Sequence, residues 1–136
     1  MDSWAWLALA DKREKPYREA SDLYLSLRNG GGKFFTTDYV LDETITRIFK
    51  KVTFSQASKY IQAIFKMVEL DFLSLENINE DRFKKAWKLR QKYGDKPSIS
   101  FTDLTSFVVM QELNIKKVFT GDEHFEHVNL GFKKVP

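Results

Sequence analysis

The sequence predicts an α/β fold, a three-layer α/β/α sandwich around a central, mainly parallel sheet. Short β-prone runs alternate along the chain with longer segments of helical period, the arrangement that parallel strands joined by right-handed crossovers require. With 136 residues, 43% of them hydrophobic, the chain is long enough to bury a core and short enough to form a single domain over 1–136. There is no cysteine, which excludes a disulfide framework, a thiolate metal site and a cysteine nucleophile.

The elements follow from local pattern. Residues 3–11 read as an apolar helix. A second helix opens at Pro16, repeats apolar side chains at Tyr17, Ala20, Leu23, Tyr24 and Leu27, and stops at Gly30. After the glycine turn, 33–37 reads as a strand and 38–51 as a helix with Val40, Leu41, Thr44, Ile45, Ile48 and Phe49 on one stripe. The next helix starts near Thr53, which has capping-box spacing to Gln56, and is expected to bury Ala57, Tyr60, Ile61, Ile64 and Phe65. A strand is predicted over 68–75, then a helix over 79–93 that ends at Gly94 and leads into the loop 95–98. Residues 101–113 form a helix, 115–119 a strand, 121–125 a turn with one helical turn, and 132–135 a last strand.

The longest apolar run, Trp4 to Ala10, is far shorter than the ~20 residues of a membrane span, and no basic segment precedes it. A soluble, cytoplasmic protein without a membrane partner is expected. Basic residues number 22 against 19 acidic ones, a formal charge of +3 that permits nucleic-acid binding without requiring it.

Four acids, Asp2, Glu43, Asp103 and Asp122, stand where a strand or loop meets a helix. The carboxyl ends of parallel strands converge on one crevice, so acids at such points gather although they are distant in sequence. Carboxylates brought together repel unless a cation joins them. An all-oxygen cluster suits Mg²⁺ or Mn²⁺ rather than zinc, and such sites recur in enzymes that cut or transfer phosphate. A metal-dependent nuclease is the leading expectation.

Four local sequences carry a resemblance. They are Met1-Asp2-Ser3-Trp4-Ala5-Trp6-Leu7-Ala8-Leu9, Thr36-Thr37-Asp38-Tyr39-Val40-Leu41-Asp42-Glu43-Thr44, Ser100-Phe101-Thr102-Asp103-Leu104-Thr105-Ser106-Phe107 and Thr120-Gly121-Asp122-Glu123-His124-Phe125. Together, in this order and over nearly the whole chain, they resemble a PIN domain, specifically the VapC-type toxins of prokaryotic toxin–antitoxin modules. The resemblance implies a Mg²⁺-dependent endoribonuclease, with Mn²⁺ as an alternative ion, which is dimeric and neutralised by a cognate antitoxin. It matches Asp2, Glu43, Asp103 and Asp122 to the family's four acids, which hold one or two metals and orient the attacking water. Asp95 and the hydroxyls of Ser3, Thr102 and Thr120 fall nearby as supports for those ligands. In the family the first acid ends an apolar strand, whereas here only Met1 precedes Asp2, so a truncated first strand is expected. Either the start lies upstream, or rearrangement or a partner chain supplies the strand, or the toxin is weakened.

Each acid also has a plain structural reading. Asp103 follows Ser100 at helix-capping distance, Glu43 precedes Arg47 by one helical turn, and Asp122 after Gly121 suits an ordinary turn. Asp42 is assigned to solvent or to the N-terminal helix dipole rather than to metal, and His124 and His127 to structural or surface positions. Trp4, Trp6 and Tyr39 offer platforms for stacked RNA bases, although aromatic residues in periodic patterns, such as Phe34, Phe65, Phe83 and Phe107, more often fill a core. Lys84, Lys85, Lys88, Arg90, Lys92 and Lys96 either track a phosphate backbone or form a solvated face. Two other classes compete with the nuclease: a catalytically weak or inactive PIN-like module that binds RNA or an antitoxin, and a receiver-like signalling domain, which lacks a convincing phosphoacceptor strand.

Overall fold

The computed structural model describes residues 1–136. In chain order its elements are α1 (Ser3–Ala10), α2 (Tyr17–Asn29), β1 (Phe34–Thr37), α3 (Asp38–Ile48), α4 (Phe54–Glu69), β2 (Leu73–Glu76), α5 (Glu80–Lys92), α6 (Phe101–Glu112), β3 (Lys117–Phe119), α7 (His124–His127) and β4 (Lys133–Val135). No helix is long and apolar enough to cross a membrane.

The helices begin where the sequence supplies an oxygen to their free N–H groups. Thr37 caps α3 by accepting the Val40 N–H, Asn79 caps α5 through Arg82, and Ser100 caps α6 through Asp103. Thr53 and Gln56 close the expected capping box on α4. Two helices are buried far around their circumference, as their composition dictates. These are α1, with Ser3 and Ala5 to Ala8 buried, and α6, buried from Asp103 to Met110. Around α6, Phe107 meets Phe125 edge-on at 4.9 Å and Phe132 at 5.6 Å. Trp6 and Leu7 of α1 join Phe34, Val40, Leu41, Ile48 and Leu73 in a second cluster.

Every strand pairing is parallel. β1 lies beside β2 with Phe34 opposite Leu73, and β3 beside β4 with Lys117 opposite Lys133. The expected central sheet is present as two separate strand pairs, and in place of the expected short first strand Met1 and Asp2 form no strand but bridge the pairs. The Met1 nitrogen donates to the Phe35 carbonyl at 2.6 Å, and the Asp2 N–H donates to the Phe119 carbonyl at 3.1 Å. Alongside these two residues runs an apolar slot of about 350 Å³, lined by β1 and β3, by Leu27 of α2 and by Val109 and Met110 of α6.

Some sequence expectations are corrected. The strand predicted over 68–75 is helical to Glu69, because α4 continues its stripe until Asp71 turns left-handed (φ 61°), and β2 occupies only Leu73–Glu76. Phe65 and Phe83, assigned to the core, are 49% and 45% exposed. α4 buries Ala57, Ile61 and Ile64 and α5 buries Ala86, so the phenylalanines lie outside those buried stripes.

The slot lies between strand edges and is lined mostly by apolar side chains. A four-residue extension rich in Val and Ile, fused ahead of Met1, should occupy it and raise the melting temperature by at least about 5 °C, since each buried aliphatic side chain contributes ~1.5–3 kcal/mol. Differential scanning calorimetry of the extended and parent chains checks this, and an unchanged transition in a well-folded extended chain would refute it.

Candidate metal centre

Asp2 stands at the N-cap position of α1, yet its carboxylate makes no capping bond. Instead its Oδ2 accepts the Thr120 hydroxyl at 2.7 Å, and the same Thr120 oxygen accepts the Asp122 N–H at 3.0 Å. Thr120 is fully buried, so one side chain fixes the first and last acids together. This is the supporting role expected of it. Gly121 lies against the Trp4 indole with no room for a Cβ, which explains the glycine between Thr120 and Asp122.

Asp103 projects from the first turn of α6. Ser100 caps that turn by accepting the Asp103 N–H at 3.0 Å, while the Asp103 side chain is only 9% exposed and faces His124, whose Nδ1 is 4.0 Å from Oδ2. Asp122 turns back on its own chain, with Oδ1 accepting the His124 N–H at 2.9 Å and standing 3.1 Å from the His124 ring nitrogen Nδ1. One ligand atom from each of Asp103, Asp122 and His124 lies within 4.8 Å of the others. The structure therefore brings together two predicted acids and a histidine that the sequence had placed outside the site.

Glu43, on α3, is close enough for its charge to act on Asp2, and also pairs with Arg47 at 3.2 Å. The i,i+4 pairing with Arg47 expected from the spacing is present. Asp42 is exposed, as expected. Asp95 does not join the cluster: it pairs with Lys96 at 3.0 Å in solvent. Ser3 is buried at the start of α1, and the Thr102 carbonyl accepts the Thr105 hydroxyl inside α6. His127 is exposed, 4.0 Å from Glu123. Of the aromatic platforms, Trp6 is core, 2% exposed, with its indole N–H on Thr36, while Trp4 and Tyr39 are half-buried.

The basic residues of α5 are mostly occupied by neighbours rather than presented as a phosphate track. Lys84 pairs with Glu80, and Lys85 with Asp81 and Glu112. Arg90 donates to the carbonyls of Tyr93, Lys96 and Ile99 at 2.5–2.7 Å, which fixes the loop ahead of Ser100 and hence the start of α6.

The electrostatics of the centre are those of buried carboxylates crowded together. Burial, reinforced by the charges of Asp2 and Asp122, pushes Asp103 up to about 7, and burial likewise raises Asp2. Asp2 Oδ1 and His124 Nδ1 are buried without a hydrogen-bond partner, unusual for polar atoms at such depth. A divalent cation held by Asp103, Asp122 and His124 would satisfy His124 Nδ1 and relieve the repulsion between the carboxylates, so the residues present fit the ion.

Thr120→Val keeps the shape of the side chain but removes the donor to Asp2 and the acceptor for Asp122. It should destabilise the protein by roughly 1–3 kcal/mol in urea titrations at pH 7. Asp103 keeps its proton to higher pH when folded than when unfolded, so ionising it costs stability as pH rises from about 4 through 7. In EDTA, Asp103→Asn should therefore melt above the parent at pH 8, by on the order of 5 °C, and alongside it at pH 4. An equal offset at both pH values would contradict this account.

Comparison with known proteins bears on the same residues. The family model described as PIN domain matches residues 1–130. Among solved structures the fold is similar to that of VapC20 from Mycobacterium tuberculosis, described as a sarcin–ricin loop cleaving toxin, with a TM-score of 0.81 at 24% sequence identity over 98% of this chain and 95% of that one. No curated protein matches the chain in sequence. A family match across almost the full length, on a fold that gathers these acids, establishes that the chain belongs to the PIN-domain family.

Proposed function

We propose that this chain is a metal-dependent endoribonuclease that hydrolyses RNA phosphodiester bonds as the toxin of a cytoplasmic toxin–antitoxin module, with Asp2, Glu43, Asp103 and Asp122 as its catalytic residues. The observation that carries the reading is the group of mutually repelling carboxylates, with Asp103 held to about 7 and one oxygen of Asp2 left without a partner. A site of this kind is electrostatically incomplete without a cation. The fold shared with a toxin described as cleaving the sarcin–ricin loop supports RNA as the substrate class.

Asp103 and Asp122 would hold Mg²⁺, with Mn²⁺ as the alternative, and Asp2 and Glu43 complete the acidic wall. When bound, the ion supplies charge neutralisation at the scissile phosphate and lowers the pKa of a coordinated water. The protein's own groups do the rest. Thr120 keeps Asp2 and Asp122 in register through one hydroxyl, so the carboxylates are preorganised before substrate arrives. Glu43, 34% exposed like Asp122, would accept the proton of an attacking water. The partners proposed with this activity are a cognate antitoxin that covers the centre and a second copy of the chain in a homodimer.

Purified protein should cleave a mixed RNA pool in Mg²⁺ or Mn²⁺, with all cleavage lost in EDTA. Asp103→Asn should reduce the rate by more than about a hundredfold, beyond what loss of an outer-shell partner costs. Persistent cleavage in EDTA, or a fully active Asp103→Asn, would refute the assignment. A folded chain that binds RNA in every metal without cutting it would identify a binding module instead.

A further inference from the structure

Resting on the reading of this centre as a cation site, we propose that His124 is itself a ligand, its Nδ1 joining Asp103 and Asp122, and that this nitrogen tilts the site toward Mn²⁺ over Mg²⁺.

The geometry sets the imidazole up for that task. Nδ1 is buried and has no hydrogen-bond partner, although Asp122 Oδ1 lies only 3.1 Å away and Asp103 Oδ2 lies 4.0 Å away. Neither contact has the alignment of a ring N–H donating to a carboxylate. Two ligands held about 2.1 Å from one octahedral ion stand roughly 3 Å apart at right angles, which is the separation found between Nδ1 and Asp122 Oδ1.

The far side of the ring fixes its chemistry. His124 Nε2 lies 3.2 Å from Ser98 Oγ. With Nε2–H donating to that hydroxyl, the lone pair is left on Nδ1, the arrangement by which a metal-binding histidine is usually oriented. Ser98 belongs to the loop whose neighbouring carbonyls, of Tyr93, Lys96 and Ile99, Arg90 holds. On the inner side the His124 backbone N–H is tied to Asp122. Backbone and Nε2 thus each have a partner, and of the ring nitrogens only Nδ1 faces the acids. Asp2 adds a second observation, being 6% exposed with an unpartnered oxygen and a charge that acts on Asp103.

Nitrogen changes which ion is preferred. Mg²⁺ favours oxygen ligands in a strict octahedron, whereas first-row transition ions accept imidazole readily. A site of acids alone discriminates weakly between Mg²⁺ and Mn²⁺, and one nitrogen donor adds affinity for Mn²⁺ that Mg²⁺ does not share.

Calorimetric titration of the full chain with Mn²⁺ and with Mg²⁺ tests this, together with electron spin echo spectroscopy of bound Mn²⁺, which detects a directly bound imidazole nitrogen. In His124→Ala and in His124→Gln, Mn²⁺ affinity should fall by about tenfold or more while Mg²⁺ affinity stays within about twofold, and the nitrogen signal should vanish. Ser98→Ala should keep the nitrogen signal with a smaller loss. Unchanged Mn²⁺ affinity, equal losses for both ions, or absence of a nitrogen signal from Mn²⁺ bound to the parent would overturn the ligand assignment and leave the nuclease reading intact. Failure of the folded parent to bind either ion would overturn both.

Discussion

Two short hydrogen bonds hold the molecule's first acid, and the remainder of the centre is arranged around them. The Asp2 N–H meets the Phe119 carbonyl, and its carboxylate meets the Thr120 hydroxyl. These bonds tie the chain start to the end of β3, and the Met1 nitrogen on the Phe35 carbonyl ties it to β1, so the first two residues bridge the two separate strand pairs. Because Thr120 also receives the Asp122 N–H, the position of the last acid is slaved to that of the first. A hydroxyl can donate one bond and accept others. A carboxylate or amide in its place would not serve both neighbours within the same space.

The remaining parts are held by helix starts. Thr37 caps α3, which carries Glu43, and Ser100 caps α6, which carries Asp103. In each case the cap is a hydroxyl residue at the end of an extended segment, so the acid that follows inherits a fixed height above the strands. Ser100 in turn depends on Arg90, whose planar fork reaches three carbonyls at once. A lysine, with its single ammonium, would not reproduce that pattern.

Much of this was legible in the sequence and some was not, for physical reasons. Asp2, Asp103 and Asp122 stand beside residues with recognisable local duties, Thr120 before Asp122 and Ser100 before Asp103, and those local geometries survive in the fold. The capping box at Thr53 and the lysine pairs on α5 also follow from spacing alone. His124 was missed because nothing in composition or period says that a residue two positions after an aspartate folds back on it. The available signal was the turn itself: an aspartate that accepts the N–H two residues on brings that residue's side chain alongside. Phe65 and Phe83 were misassigned because a wide apolar stripe does not say which of its edges meets the core. Helical period likewise could not place the end of α4, which is set by a single left-handed residue, Asp71.

The slot beside Met1 has a consequence for behaviour in a crowded solution. Strand edges that face an open apolar groove are templates for extended chains of any origin, and proteins commonly guard such edges with charge. Here Lys33 and Lys117 line the groove, on a chain that is already net positive. Lys33 is paired with Asp71, so entry by another copy of the same basic chain is opposed electrostatically mainly through Lys117, and that opposition weakens as salt screens it. Colloidal stability and fold are coupled at this one place, where Lys117 guards the apolar gap between the strand pairs.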